Sequence, residues 1–249
     1  MRKEEFLKIC QEEEASDHIR SGIGTYSEKR LHIVLKKYMD SETSHHEFPL
    51  LGSVADIFDG ERITEIQTGS LRPLRDKIAK YINESEYEVS VVCPIARIKW
   101  LYWIDPDSAE MTEKKRSPKK GRASDLIPEI YYLLDFIQSG RLSLHIVMLE
   151  LEEYRVAGRY KKNRSLGSLR KERMPIDILD EIILRDVCDY ALLVPGELGE
   201  TFTFADYKKA ARTSPRKTSY SLKTLQLLGL IEKTGKEGNA YVYKKRVLL

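Results

Sequence analysis

The chain holds only 3 cysteines in 249 residues, at positions 10, 93 and 188. An odd number at such wide spacings offers neither a disulfide framework nor a paired CxxC zinc knuckle. Long apolar runs are also missing. No stretch approaches the roughly 18 residues that a membrane span needs, and the charged start MRKEEFLKICQEEE lacks the apolar segment of a secretory signal. The expectation is a cytoplasmic protein without a membrane partner. Glycine (14) and proline (9) are too few for a collagenous or low-complexity chain, and 41% hydrophobic with 33% charged residues suits a globular protein with a sizeable core.

What is present is unevenly distributed. The net charge is +3, yet residues 201–249 hold 11 Lys+Arg against 3 Asp+Glu, so this fifth carries +8 and the remainder −5. A basic segment of that kind suits a polyanion, because cations that neutralise phosphates release condensed counterions.

The opening twenty residues read as a peripheral helix or arm. Leu31, Val34, Leu35 and Tyr38 then recur at helical spacing. VADIF and RITEIQT follow as short strands around Asp59-Gly60, a hairpin signal. A helix is expected over SLRPLRDKIAKYIN, two strands over YEVSVVCPIA and IKWLYWID, a helix over SDLIPEIYYLLDFIQ and a strand over LSLHIVMLEL. This order predicts an α/β domain over 1–151, one mixed sheet between helices. Residues 152–175 are polar and basic and predict a linker or extended excursion. A helix over IDILDEIILRDVCDYALLV opens the last domain, 176–249. Beyond Pro195 the order helix, turn, helix, hairpin describes a winged helix, with Thr203 and Ser214 as caps and Leu222, Leu225 and Leu228 as the core stripe of the second helix. Arg216, Lys217 and Lys223 are left to meet DNA.

Strand parity makes the first hairpin informative. With a two-residue turn, Phe58 pairs with Glu61 and Asp56 with Ile63, placing Asp56, Glu65 and Gln67 on one face and making the two carboxylates diagonal neighbours. A three-residue loop would send them to opposite faces. Two carboxylates on a covered face repel and lose hydration, so they need a cation, a shared proton or strong hydrogen bonds. Mg²⁺ (or Mn²⁺) is suited to such hard oxygen ligands and to phosphoryl chemistry. Glu28 would be a third acid, although Thr25-x-x-Glu28 also reads as a capping box. Asp56 and Glu65 would otherwise be solvent-facing residues of a one-sided sheet.

A glutamate on the first helix, then VAD, then EIQT after a hairpin resembles the PD-(D/E)xK, or restriction-endonuclease-like, superfamily of metal-dependent nucleases. More narrowly, GTYSEKRLHIVLKKY, VADIFDGERITEIQTGSLRPLRDKI and KRSPKKGRASDL resemble an uncharacterised bacterial family of that fold that carries a C-terminal winged helix. The resemblance implies a restriction-endonuclease-like mixed sheet flanked by helices, with Asp56, Glu65, Glu28 and the carbonyl of Ile66 as metal ligands. It implies a catalytic role for Gln67, where the superfamily usually has lysine. Lys77 or Lys99 would then supply a displaced ammonium.

The run Lys114, Lys115, Arg116, Lys119, Lys120 and Arg122 is a phosphate-contact candidate, or a solvated loop. His45-His46-Glu47 lacks a second cluster at zinc-ligand spacing, and Trp100, Tyr102 and Trp103 suit core packing more than stacking on the bases of a single strand. The expected activity is Mg²⁺-dependent hydrolysis of DNA phosphodiesters. The rivals are a DNA-binding or regulatory protein on a nuclease-like scaffold that does not cleave, and an interaction protein for an acidic partner. A homodimer is common among endonucleases that cut both strands, but no apolar surface in the sequence marks an interface.

Overall fold

A computed structural model describes residues 2–15, 30–105, 108, 110–157 and 168–246. The chain is mixed α/β. Its larger sheet has seven strands, β1 (His46–Leu50), β2 (Ser53–Phe58), β3 (Arg62–Ile66), β4 (Glu88–Ile104), β5 (Lys115–Arg116), β6 (Leu142–Ala157) and β7 (Ser168–Leu184). Their order is β1-β2-β3-β4-β6-β7, with β5 beside β4. The β2/β3 pair is antiparallel and β3/β4 parallel, so the sheet is mixed. Flanking helices are α1 (Lys3–Ala15), α2 (Arg30–Met39), α3 (Arg75–Glu84), α4 (Ile127–Ile130) and α5 (Leu134–Gln138).

Two compact units divide the chain. One comprises Met1–His46, Pro94–Gly121 and Val147–Glu181, and the other Glu47–Cys93, Arg122–Ile146 and Ile182–Leu249. Residues 152–157 belong to β6 and 168–175 to β7, the extended alternative to a linker, and 158–167 lie outside the described residues. The helix expected over 176–194 is replaced by the end of β7 and a 3-10 turn over Val187–Leu193. Ile176, Ile178, Ile182 and Ile183 are β-branched and lose side-chain freedom in a helix, while their spacing fits either period. The two strands expected over 88–104 are one, with Pro94 falling just past the β3-paired stretch that ends at Val92, where its missing N–H costs no pairing with β3.

In the first unit the α2 stripe is as expected: Leu31, Val34, Leu35 and Tyr38 are all buried. The opening segment is more than an arm. Phe6 of α1 is fully buried and meets the Tyr38 ring edge-on at 5.1 Å. The basic run 114–122 is laid along the sheet through β5. Gly121 N–H donates to Ala96 C=O at 2.8 Å, and a Cβ there would sit 2.6 Å from that oxygen, so only glycine fits.

In the second unit the helix expected over 124–138 is replaced by a 3-10 turn over Ala123–Leu126, α4, a second 3-10 turn over Tyr131–Leu133 and α5, with Pro128 at the start of α4. The C-terminal part holds β8 (Thr201–Thr203), α6 (Phe204–Ala211), α7 (Pro215–Leu227), β9 (Ile231–Glu237) and β10 (Ala240–Lys245), the strands forming an antiparallel sheet in the order β8-β10-β9. Thr203 and Ser214 cap the two helices through their hydroxyls, and Leu222, Leu225 and Leu228 are buried.

Candidate functional site

The β2/β3 hairpin closes two residues wider than its sequence suggests. Phe58 pairs with Ile63 and Ile57 with Thr64. The cause is Asp59, whose carboxylate accepts from the N–H groups of Glu61 (2.9 Å) and Arg62 (2.6 Å), so both are consumed by the turn. A shift of two preserves parity, which keeps Asp56 and Glu65 on one face and turns the expected diagonal into a facing position.

Asp56 is anchored by the Ile66 N–H, which donates to Oδ2 at 2.6 Å. Ile66 thus enters the site through its amide. Glu65 is 2% exposed and accepts from Lys77 Nζ at 2.6 Å and from Tyr81 O–H at 3.1 Å. Lys77 and Tyr81 lie four residues apart on α3, hence on one helix face. Burial, then the charge of Asp56, pushes the Glu65 carboxyl up to about 7 against the opposing pull of Lys77 and Tyr81. Burial and the neighbouring Glu65 likewise push the Tyr81 phenol upward.

Another acid reaches the same place. Carboxylate oxygens of Glu47 and Asp56 lie within 4.8 Å of one another. Glu47 has φ of 50°, a left-handed conformation that a glutamate adopts only at a cost. Four residues later β1 turns into β2 through Leu51 and Gly52, both also at positive φ. Asp56 and Glu47 offer hard oxygen donors suited to Mg²⁺ or Mn²⁺, and Glu65 feels the charge of Asp56.

The other expected site residues are distributed as follows. Glu28 lies outside the described residues. The Gln67 side-chain amide donates to Ser70 C=O, so its N–H₂ is engaged within the following loop. Lys77, and not Lys99, reaches Glu65; Lys99 is held by Glu153 at 3.4 Å. Lys114 pairs with Glu152 at 2.6 Å and lies over the Trp100 ring, while Lys115, Arg116, Lys119 and Lys120 are exposed. Arg122 is half-buried and donates to Ala210 C=O. Arg216, Lys217 and Lys223 are exposed. His45 and His46 both turn onto Asp40, through its carboxylate and its carbonyl. Sequence reasoning missed Tyr81 and the proximity of Glu47 to Asp56. The i,i+4 spacing from Lys77 was the available signal for Tyr81; none existed for Glu47.

Residues 29–185 match the family described as "Domain of unknown function (DUF8091)". The chain is 29% identical over 225 residues to an "Uncharacterized protein" of Treponema pallidum (strain Nichols), covering 90% of this chain and 87% of that one. No solved structure matches. Among the described residues no helix is long and apolar enough to cross a membrane.

Proposed function

From a chain that belongs to the DUF8091 family, we propose a metal-dependent nuclease that hydrolyses DNA phosphodiesters, built on a restriction-endonuclease-like sheet with a winged helix formed by β8, α6, α7, β9 and β10. The observation that carries this reading is Glu65, an almost fully buried carboxylate beside Asp56, with an ammonium at 2.6 Å. A buried acid beside a half-buried one, with a cation at its edge, suits the handling of a phosphate better than it suits packing.

Asp56 and Glu65 would hold Mg²⁺ or Mn²⁺, with Glu47 as a third acid and the Ile66 carbonyl as a further ligand. When bound, the ion supplies an activated water and neutralises charge on the phosphate. The water oxygen would attack phosphorus and give up a proton to solvent as the bond to the departing sugar oxygen breaks, and that oxygen would take a proton from solvent. Lys77 places a positive charge where negative charge develops, the role that Gln67 cannot fill. Tyr81 holds the second oxygen of Glu65, fixing the carboxylate plane. The basic segment 114–122, with Arg216 and Lys217, would contact phosphates.

A second reading is favoured by two observations. Lys77 already neutralises Glu65, and the Gln67 amide is engaged by Ser70, which suits a DNA-binding scaffold that does not cleave. Incubating plasmid with Mg²⁺ or Mn²⁺ and wild type, Asp56→Ala or Glu65→Ala separates the two. Cleavage by wild type alone supports the nuclease; binding without cleavage supports the scaffold. Cleavage surviving both substitutions would remove this site from the chemistry.

A further inference from the structure

A continuous strip of cations and tyrosines leads away from the Glu65 site. It starts at Gln67, whose side chain bonds Ser70 C=O. Ser70 Oγ in turn accepts from Arg72 N–H at 3.3 Å. The Arg72 guanidinium lies 5.9 Å from the centre of the Tyr132 ring. Tyr132 is 6.5 Å from Tyr220 of α7, Tyr220 is 5.4 Å from Tyr131, and Lys223 Nζ is 5.0 Å from the Tyr131 ring.

Three features distinguish this strip from ordinary packing. All three tyrosines stay half-exposed, whereas Tyr81, Tyr190 and Tyr207 of the same unit are buried. Arg72 and Lys223 are exposed at its two ends. The acids beside it are otherwise engaged: Glu129 accepts from Ser70 Oγ and Leu71 N–H, and Asp135 is paired with Arg75 at 2.7 Å. Arg75 also donates to Tyr132 C=O, which fixes the backbone beneath that ring.

We propose that this strip binds single-stranded nucleic acid, with bases on Tyr131, Tyr132 and Tyr220 and phosphates on Arg72 and Lys223, guiding the strand toward Glu65. Rings between cations at this spacing match the alternation of π-face and phosphate along a single strand. A duplex hides its base faces in the stack and gives the tyrosines nothing to bind, and an acidic peptide would use only the cations. The inference rests on the nuclease reading for its direction and on the strip alone for binding.

The test uses the full chain in EDTA, with labelled oligo(dT) of about 20 nucleotides, a duplex of equal length, and fluorescence anisotropy. Oligo(dT) is expected to bind more tightly than duplex. The Tyr132→Leu/Tyr220→Leu double variant should lose roughly tenfold or more for oligo(dT), while Tyr132→Phe/Tyr220→Phe keeps wild-type affinity, because stacking needs the ring and packing needs only bulk. The proposal is overturned by equal affinity of the leucine variant, by duplex binding at least as tight as oligo(dT), or by displacement with poly-glutamate at equal charge concentration, which would assign the face to acidic proteins. Adding Mn²⁺ separates the two claims. Oligo(dT) bound through the tyrosines but left intact would sink the nuclease reading alone, and oligo(dT) cleavage that needs Asp56 and Glu65 but is unchanged by loss of the rings would sink the strip alone.

Discussion

Lys77 Nζ lies 2.6 Å from Glu65 Oε2, joining α3 to β3, the second strand of the β2/β3 hairpin. The pair is asymmetric: the carboxylate is sealed, whereas the lysine side chain retains a quarter of its exposure. A cation placed at the edge of a buried acid can turn toward an incoming anion without leaving its partner far behind. Replacing Lys77 with Met is therefore expected to lower single-turnover plasmid cleavage by about 10²-fold, with partial recovery in Lys77→Arg. Unchanged rates in the Met variant would assign Lys77 to structure.

Metal binding should register as stability. An ion that binds the folded chain and not the unfolded one contributes about 2.7 kcal/mol at a hundredfold excess over its Kd. For a chain of this size that corresponds to a rise in melting temperature of roughly 5–10 °C. Asp56→Asn and Glu65→Gln should abolish the rise with Mn²⁺, since each removes a charged ligand. Differential scanning fluorimetry reads this directly, and a shift that persists in both variants would place the ion elsewhere.

The raised Glu65 carboxyl carries a defined pH signature. Its ordinary value is 4.5 and the folded value about 7, so between these limits the folded state binds more protons than the unfolded one. Stability from this group is fully present at or below the lower value and is lost as pH rises through the upper one. In metal-free protein the Glu65→Gln variant should lack this fall, gaining of order 1–3 kcal/mol on wild type between pH 4.5 and 8. Urea titrations at several pH values test it; parallel curves for the two proteins would show that Lys77 keeps Glu65 ionised throughout.

Much of the site was legible because parity survives a register error. The turn was misjudged, since Asp59 binding the Glu61 and Arg62 amides is a side-chain choice that a Asp-Gly dipeptide does not announce. The shift was even, so Asp56 and Glu65 still share a face. Caps were legible because Thr203 and Ser214 act within three residues of themselves. The segment around Ile176–Leu184 was not, because a run rich in isoleucine fits both periods and only the neighbouring strand decides. Glu47 was illegible for a different reason: its approach to Asp56 depends on a left-handed residue at a non-glycine position.

Gly121 offers a test of the basic segment as a fixed arm. A methyl group there meets Ala96 carbonyl oxygen and Ile95 Cγ2 at 2.6 Å, and the first of these is backbone that cannot turn aside. Gly121→Ala is expected to cost about 1–3 kcal/mol. It should also free Lys119 and Lys120, raising protease susceptibility between residues 114 and 122. A variant as stable and as resistant as wild type would mean that the segment is not seated on β4.

Glu47 sets stability against function in one residue. Its φ of 50° costs a glutamate free energy that glycine does not spend, so Glu47→Gly should stabilise metal-free protein by a few tenths to about 1 kcal/mol, less the entropy that glycine adds to the unfolded chain. The same change removes a carboxylate within 4.8 Å of Asp56, and Mn²⁺ affinity should fall. Glu47→Gln keeps the strain and removes only the charge, so it should lose affinity without gaining stability. Isothermal titration with Mn²⁺ beside urea unfolding of the three proteins separates the effects. Undiminished affinity in both variants would leave the strained conformation without a functional reason.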